Sequence, residues 1–315
     1  MGIADFAIEV PGGKLGIEEV SRESGIDVDK LGQVIRSGKF SVLGPGESAW
    51  SLGRDAAAKV LARVPVRPEE IGLVIYAGSS EWGKPFWSPA AKIAGELGIE
   101  HAHCYELSNF CNAGLAAVRI ADDQIKAGTL KYALVVIADR LSQLVEYGTG
   151  YVELFNFADG AAAVLVSADA RYELLGSAMR TDPAWVDAYY GEIKNGEVKV
   201  ERGELGDGLG DAFIENFTTL TGKVLAEIGA SAEDVAYFLV THGNVNTHRD
   251  YLRALGVGED RSVFNYETDG HLGGVDPLLS LEDLERAGRL NSGDLVVMAT
   301  AGSGFTWGVT ALRVV

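Results

Sequence analysis

Residues 67–80, RPEEIGLVIYAGSS, have a counterpart at 231–244, SAEDVAYFLVTHGN: in each, an acidic turn leads into an apolar strand that ends on small or polar side chains. A second echo follows in each half. LKYALVVIADR with DGAAAVLVSAD (130–140, 159–169) parallels SGDLVVMATAG with GFTWGVTALRV (292–302, 304–314). An internal duplication constrains the chain to two related halves whose functional residues lie at the ends of equivalent strands. The least regular stretch, 170–205, separates them, so the expected units are residues 1–170 and 171–315.

Five apolar runs of β-branched and aliphatic residues read as buried strands: 71–78, 132–139, 161–167, 235–242 and 295–300. Between them, segments such as NAGLAAVRIADDQIKAG (112–128) and LSLEDLERAGRL (279–290) space apolar residues at three and four, the period of a helix. The alternation predicts an α/β fold with a largely parallel sheet and helices on both faces. Its 40 glycines suit tight strand-to-helix connections.

The net charge of -18 opposes binding to nucleic acid or to an anionic membrane, which needs clustered Lys and Arg. Neither is an expected partner. The segment MGIADFAIEV has no basic stretch followed by an apolar run, and no later stretch reaches the ~18 apolar residues of a membrane span. Two cysteines, Cys104 and Cys111, are too few for a disulfide scaffold, so a cytoplasmic location is expected.

Cys111 lies between the strand-like HAHCYEL and the helix NAGLAAVRIADDQIKAG. At a helix start, unpaired N–H groups favour a thiolate, yet a free cysteine also serves as a small buried apolar side chain. Local context leaves both open. Cys104, inside an apolar strand, reads as structural.

His242 ends the strand VAYFLVTH, and His271 follows Gly270 in the turn-rich ETDGHLGGVDP. Strand ends in such folds face the ligand crevice, where a histidine can act as base or hydrogen-bond donor. His101, His103 and His248 read as surface or helix residues. Cys111, His242 and His271 are far apart in sequence and no close ligand pair occurs, so no metal site is expected. The glycines of AGSGFTWG (301–308) would let backbone N–H groups reach a ligand, forming with the Cys111 N–H an oxyanion hole, or else simply a tight turn between strands.

Taken together, Cys111 before a small-residue helix, FADGAAAVL (157–165), LVTHGNVN (239–246), DGH (269–271) and GSGFTWGVTALRV (302–314) resemble the β-ketoacyl-acyl carrier protein synthase III group of the thiolase superfamily over nearly the whole chain. The resemblance implies a layered αβαβα fold with two pseudo-equivalent halves, usually a homodimer. It implies that Cys111 takes an acyl group from a CoA or carrier-protein thioester, with no permanently bound cofactor, and passes it to a small-molecule acceptor. His242 would match the family's catalytic histidine, and the backbone N–H groups of Cys111 and Ser303 would form the oxyanion hole. Asn244 and Gly302, within the matching blocks, would contact substrate. Phe86 or Trp87 would shape the acyl pocket across a dimer, and Arg36 would sit near the adenine end of CoA, with Arg249 as a further basic contact.

Three departures accompany the resemblance. The H-Q-A-N motif reads HGNV, His271 stands where the family has asparagine, and the tryptophan before Arg36 is replaced by Gly32 or Gln33, with no arginine in GTGYVELFN. In decarboxylating condensation, the family's His and Asn together hold a thioester carbonyl as it becomes an enolate. A histidine in place of the amide can still donate, but it can also act as a base. The expectation is an acyltransferase of a specialised, polyketide-type pathway, delivering to an alcohol, an amine or a malonyl-type carbanion. Decarboxylating 3-oxoacyl synthesis and a non-catalytic partner subunit are the alternatives.

Overall fold

A computed structural model describes residues 1–36, 38–79, 84–149, 151–204 and 208–315. The chain opens with β1 (Gly2–Glu9) and makes an excursion through β2 (Lys14–Gly16), α1 (Ile17–Ser24), α2 (Val28–Leu31) and β3 (Lys39–Ser41). It continues as α3 (Ala49–Arg63), β4 (Ile71–Gly78), α4 (Pro89–Glu96), β5 (His103–Ser108), α5 (Ala113–Lys126), β6 (Tyr132–Arg140) and β7 (Asp159–Ser167). The remainder runs β8 (Tyr172–Thr181), a hairpin of β9 (Tyr189–Lys194) and β10 (Glu197–Arg202), α6 (Leu209–Glu227), β11 (Val235–Val240), α7 (Val245–Ala254), α8 (Asp276–Arg286), β12 (Leu295–Gly302) and β13 (Thr306–Val314).

The duplication seen in the sequence is a duplication of topology. One half has the strand order β5-β4-β6-β7-β1 and the other β11-β12-β13-β8. β4 runs parallel to β6 as β11 does to β12, and β6–β7–β1 are antiparallel as β12–β13–β8 are. A single parallel bridge, Phe238 to Ser262, lies beside β11 where the first half has β5 beside β4. The halves join edge to edge, Gly2 and Ile3 of β1 against Glu173 and Tyr172 of β8.

The expectation of a largely parallel sheet is corrected: among the described residues only the β5–β4, β4–β6 and β11–β12 strand pairs are parallel. β6 returns to β7 through short 3-10 turns and β12 to β13 through a tight turn, with no crossover helix to bring the chain back to the same end.

Side-chain alternation along the strands sorts the core into layers. Leu73, Ile75 and Ala77 of β4 face a central layer containing α5 and α8, while Val74 and Tyr76 face α3 and α4. In the second half Val296 and Met298 face the central layer, and Val297 and Ala299 face α6 and α7. The result is α3/α4, sheet, α5/α8, sheet, α6/α7. Gly114 lets α5 press onto β6, since a Cβ there would lie 2.7 Å from Ile137 Cδ1. That close approach fixes the height of the turn carrying Cys111.

Candidate active site

Cys111 sits in a 3-10 turn, Phe110–Asn112, that leads directly into α5. Phe110 is held at φ +50, a conformation non-glycine residues rarely adopt, and it lifts the thiol toward the cavity. The turn is gripped by the other half. Thr300 Oγ donates to Asn112 Oδ1 at 2.6 Å, Asn112 Nδ2 donates to Thr306 Oγ at 3.2 Å, and a Cβ on Gly308 would collide with Asn112. Fully buried Asn112 thus ties the start of α5 to β12 and β13.

The start of α8 meets the start of α5 head-on. A Cβ on Gly274 would lie 3.1 Å from the Cys111 carbonyl oxygen, and one on Gly273, at φ +69, would lie 3.7 Å from Cys111 Sγ. Just upstream, His271 is pinned as an extra strand residue: its N–H donates to Asn156 O, and Ala158 N–H donates to its carbonyl. This places His271 Nε2 3.3 Å from Cys111 Sγ and His271 Nδ1 2.6 Å from Asp276 Oδ2. Asp276 is fully buried and also accepts the backbone N–H groups of His242 (2.6 Å) and Leu272 (2.8 Å).

The electrostatics follow from this packing. Burial alone would push the His271 imidazolium down, but the charges of Asp276 and Cys111 outweigh it and hold it well above the ordinary histidine value. Burial pushes the Asp276 carboxyl up, yet His271 and His242 bring it below the ordinary carboxylate value. A thiol, a basic imidazole and a hydrogen-bonded carboxylate in line form a relay that can activate a sulfur nucleophile and shuttle its proton.

His242 lies elsewhere. Its ring is fully buried behind Asp276, with Nε2 3.3 Å from Ser280 Oγ and Nδ1 3.7 Å from Asp276 Oδ1, and it does not line the cavity. Burial pushes its pKa below the ordinary histidine value, against the pull of Asp276. His242, expected at a strand end facing the crevice, is thus set apart from Cys111, with Asp276 between the two imidazoles. His248, read as a surface or helix residue, lies in helix α7 but not at the surface. It is buried on the inner face of α7, stacks on Phe264 at 4.2 Å and bonds Ser262 and Tyr266. His101 and His103 are exposed as expected.

Cys111 opens into a cavity of about 430 Å³. On one side Leu141, Leu144, Phe157, Val198 and Val200 form an apolar cluster with the thiol, the two valines coming from the β9–β10 hairpin. Phe213, Phe305, Asn244 and Thr247 also line the cavity. Among the described residues no lysine or arginine lines the cavity. Gly302 lies against the nucleophile turn, where a Cβ would come within 3.2 Å of the Cys111 backbone nitrogen, and Ser303 lines the cavity next to it. Asn244 caps α7, accepting from Asn246 and Thr247 N–H.

The remaining expected contacts lie outside this cavity. Arg36 is exposed in the turn after α2. Arg249 pairs with Glu259 at 3.1 Å. Phe86, fully exposed at φ +57, and Trp87, packed 5.5 Å from Trp50, line a separate hollow of about 220 Å³, which shares Ser79 with the cavity. Asp276 is the residue that reading the sequence missed. Its signal is a carboxylate immediately before Pro277 at a helix start, five residues beyond His271.

Two family models match this chain, 3-oxoacyl-[acyl-carrier-protein] synthase III over residues 105–183 and the C-terminal model of the same family over 225–314. Among curated proteins, β-ketoacyl-[acyl-carrier-protein] synthase III of Sphingopyxis alaskensis is 28% identical over 276 residues, covering 86% of this chain and 85% of that one. The namesake of Rhizobium meliloti is 28% identical over 302 residues, covering 92% and 93%. In three dimensions the chain is similar to the crystal structure of 3-oxoacyl-[acyl-carrier-protein] synthase III from Aquifex aeolicus, with TM-score 0.88, 23% identity and 99% of each chain covered. It is also similar to Xanthomonas campestris OleA, with TM-score 0.87, 20% identity, and 99% and 98% covered.

Proposed function

The chain belongs to the 3-oxoacyl-[acyl-carrier-protein] synthase III family of the thiolase superfamily, and from that premise we propose that it transfers an acyl group from a thioester, through Cys111, to the oxygen or nitrogen of a small acceptor. The observation that carries this reading is the relay itself: His271 has Cys111 on one ring nitrogen and Asp276 on the other.

The Cys111 thiolate attacks the thioester carbonyl, forming the new C–S bond, and the departing thiol takes the Nε2 proton of His271. An acceptor hydroxyl or amine then gives its proton to the same nitrogen as it bonds the acyl carbon, and the bond to Cys111 breaks. The thiolate and imidazolium are restored. In both steps the backbone N–H groups of Cys111 and Ser303 stabilise the oxyanion. The acyl group is uncharged, in keeping with the apolar cluster around the thiol and a cavity without a lysine or arginine. The donor is acyl-CoA or acyl carrier protein, the pathway a specialised one, and the assembly a homodimer. Arg36 and Arg249 are the cations assigned to an anionic donor, Arg249 leaving its pair with Glu259 to do so, and Phe86 or Trp87 is the aromatic that reaches toward a partner copy.

The names of the relatives favour a second reading, decarboxylating condensation with a malonyl thioester. That reaction asks for two donors converging on one thioester carbonyl, and the His242 ring is turned behind Asp276. Intact-mass measurement after incubation with a panel of acyl-CoA and acyl-carrier thioesters tests the acyl-enzyme. An added mass on the wild type and none on Cys111→Ala is expected. Malonyl thioester is then added to the loaded enzyme. Release of CO2 at a rate matching transfer to hydroxylamine would overturn the preference for acyl transfer.

A further inference from the structure

Two imidazoles flank one buried carboxylate, and only one of them reaches the nucleophile. Among the described residues the His242 ring makes one hydrogen bond, between Nε2 and Ser280 Oγ, and its buried Nδ1 has no hydrogen-bond partner while lying 3.7 Å from Asp276 Oδ1. An unprotonated Nδ1 would aim a lone pair at a carboxylate. A protonated one aims a positive N–H dipole at it, and the Ser280 hydroxyl then donates to Nε2.

We infer that His242 is a positioning residue for the relay: held by Ser280 as the neutral Nδ1–H tautomer, it supplies a long fourth N–H to Asp276 and so limits how strongly Asp276 holds the proton on His271. The inference rests on Cys111–His271–Asp276 acting as the relay proposed above. Its physical content is a compromise. A carboxylate satisfied only by His271 and two backbone N–H groups would keep the imidazolium too long to serve as base for an incoming acceptor. The extra dipole offsets part of that attraction. It also fits a fully buried histidine whose Nδ1 lies beyond hydrogen-bond distance of Asp276, since a neutral ring costs far less to bury than an imidazolium.

Other charged and titratable groups face this cluster. Cys111 and Asp139 act on His271, Asp269 and Asp283 act on His242, and Tyr266 packs against the His242 ring at 4.9 Å in a tilted arrangement, bonded to the neutral His248 and within reach of Arg36 and Arg249. None of these provides a hydrogen bond to Asp276 among the described residues, so the effect assigned to His242 is separable from theirs.

The test combines a spectroscopic signature with a pH profile. Nitrogen-15 NMR of histidine-labelled protein, assigned with single variants of the five histidines, should show His242 neutral with its proton on Nδ1, and Ser280→Ala should weaken that preference. Turnover of p-nitrophenyl butyrate after the acylation burst reports the base step. Removing the donor with His242→Phe should raise the midpoint of its acid limb by about half a unit to one unit, slowing turnover about three- to tenfold below the midpoint and little above it. His242→Asn, which can return an N–H, should restore most of the shift. A proton on Nε2 of His242 would overturn the inference, as would an equal loss of rate at every pH or no change at all. If the Phe variant fails to fold, the tautomer in wild type and Ser280→Ala decides alone. If the wild type gives no burst, the acyl-transfer reading fails, while the NMR still decides the tautomer.

Discussion

The two halves share strand order and helix placement, yet the equivalent helix starts at their centre carry different chemistry. α5 begins behind a turn that holds a thiol, at the cost of a left-handed Phe110. α8 begins behind a turn of two glycines and offers Asp276 as its first residue. Duplication supplied two matching helix ends pointing at each other. Divergence made one the nucleophile and the other, bare enough to let it approach, the support for a base. A symmetric scaffold thus yields an asymmetric site without any element leaving its place.

The nucleophile side is broken most severely by Cys111→Ala, which should abolish the acyl-enzyme mass and lower turnover at least about 10³-fold. On the support side, Asp276→Asn keeps one acceptor oxygen for a backbone N–H but loses the second and the charge that orients His271 and favours its protonated form, and turnover should fall about 10²- to 10⁴-fold in steady-state assays, with little loss of acyl-donor binding. The contact between the helix starts is sharpened by Gly274→Ala. Its methyl would meet the Cys111 carbonyl at 3.1 Å and Ile137 Cγ2 at 3.2 Å, so thermal unfolding should report a loss of about 1–3 kcal/mol together with slower acylation.

The smallest expected effect concerns Asp139, at the end of β6 beside both helix starts. Burial raises its carboxyl to about 7 although Ser79 N–H donates to it at 2.7 Å, and its Oδ2 has no hydrogen-bond partner among the described residues. The folded state therefore keeps a proton that the unfolded chain releases near pH 4, so this group makes stability fall as pH rises from about 4 to 7. Asp139→Asn, which preserves an acceptor for Ser79, should raise Tm at pH 8 and leave it nearly unchanged at pH 4. A larger gain at pH 4 would contradict the raised carboxyl.

Much of the scaffold was legible because burial on both strand faces writes long apolar runs, and because the paired echoes reported equivalent strands. Strand direction was not. A return through 3-10 turns between Arg140 and Asp159 carries no periodic signal, so β7 could not be recognised as antiparallel to β6. Cys111 and His271 were legible as residue types at a helix start and in a glycine-rich turn. Their partner Asp276 was not, since its contact with His271 depends on how Gly273–Val275 curl. His242 was legible as the end of a strand, but which way its ring faces is set by Ser280 and Tyr266, residues that belong to other elements.

The bond between Cys111 and His271 spans 160 positions of sequence and closes only when the two halves have docked. Such a contact is among the last a chain can form and among the first that partial opening removes. In a refolding experiment, the capacity to accept an acyl group should therefore return after secondary structure does, which makes the thiol a clock for completed assembly.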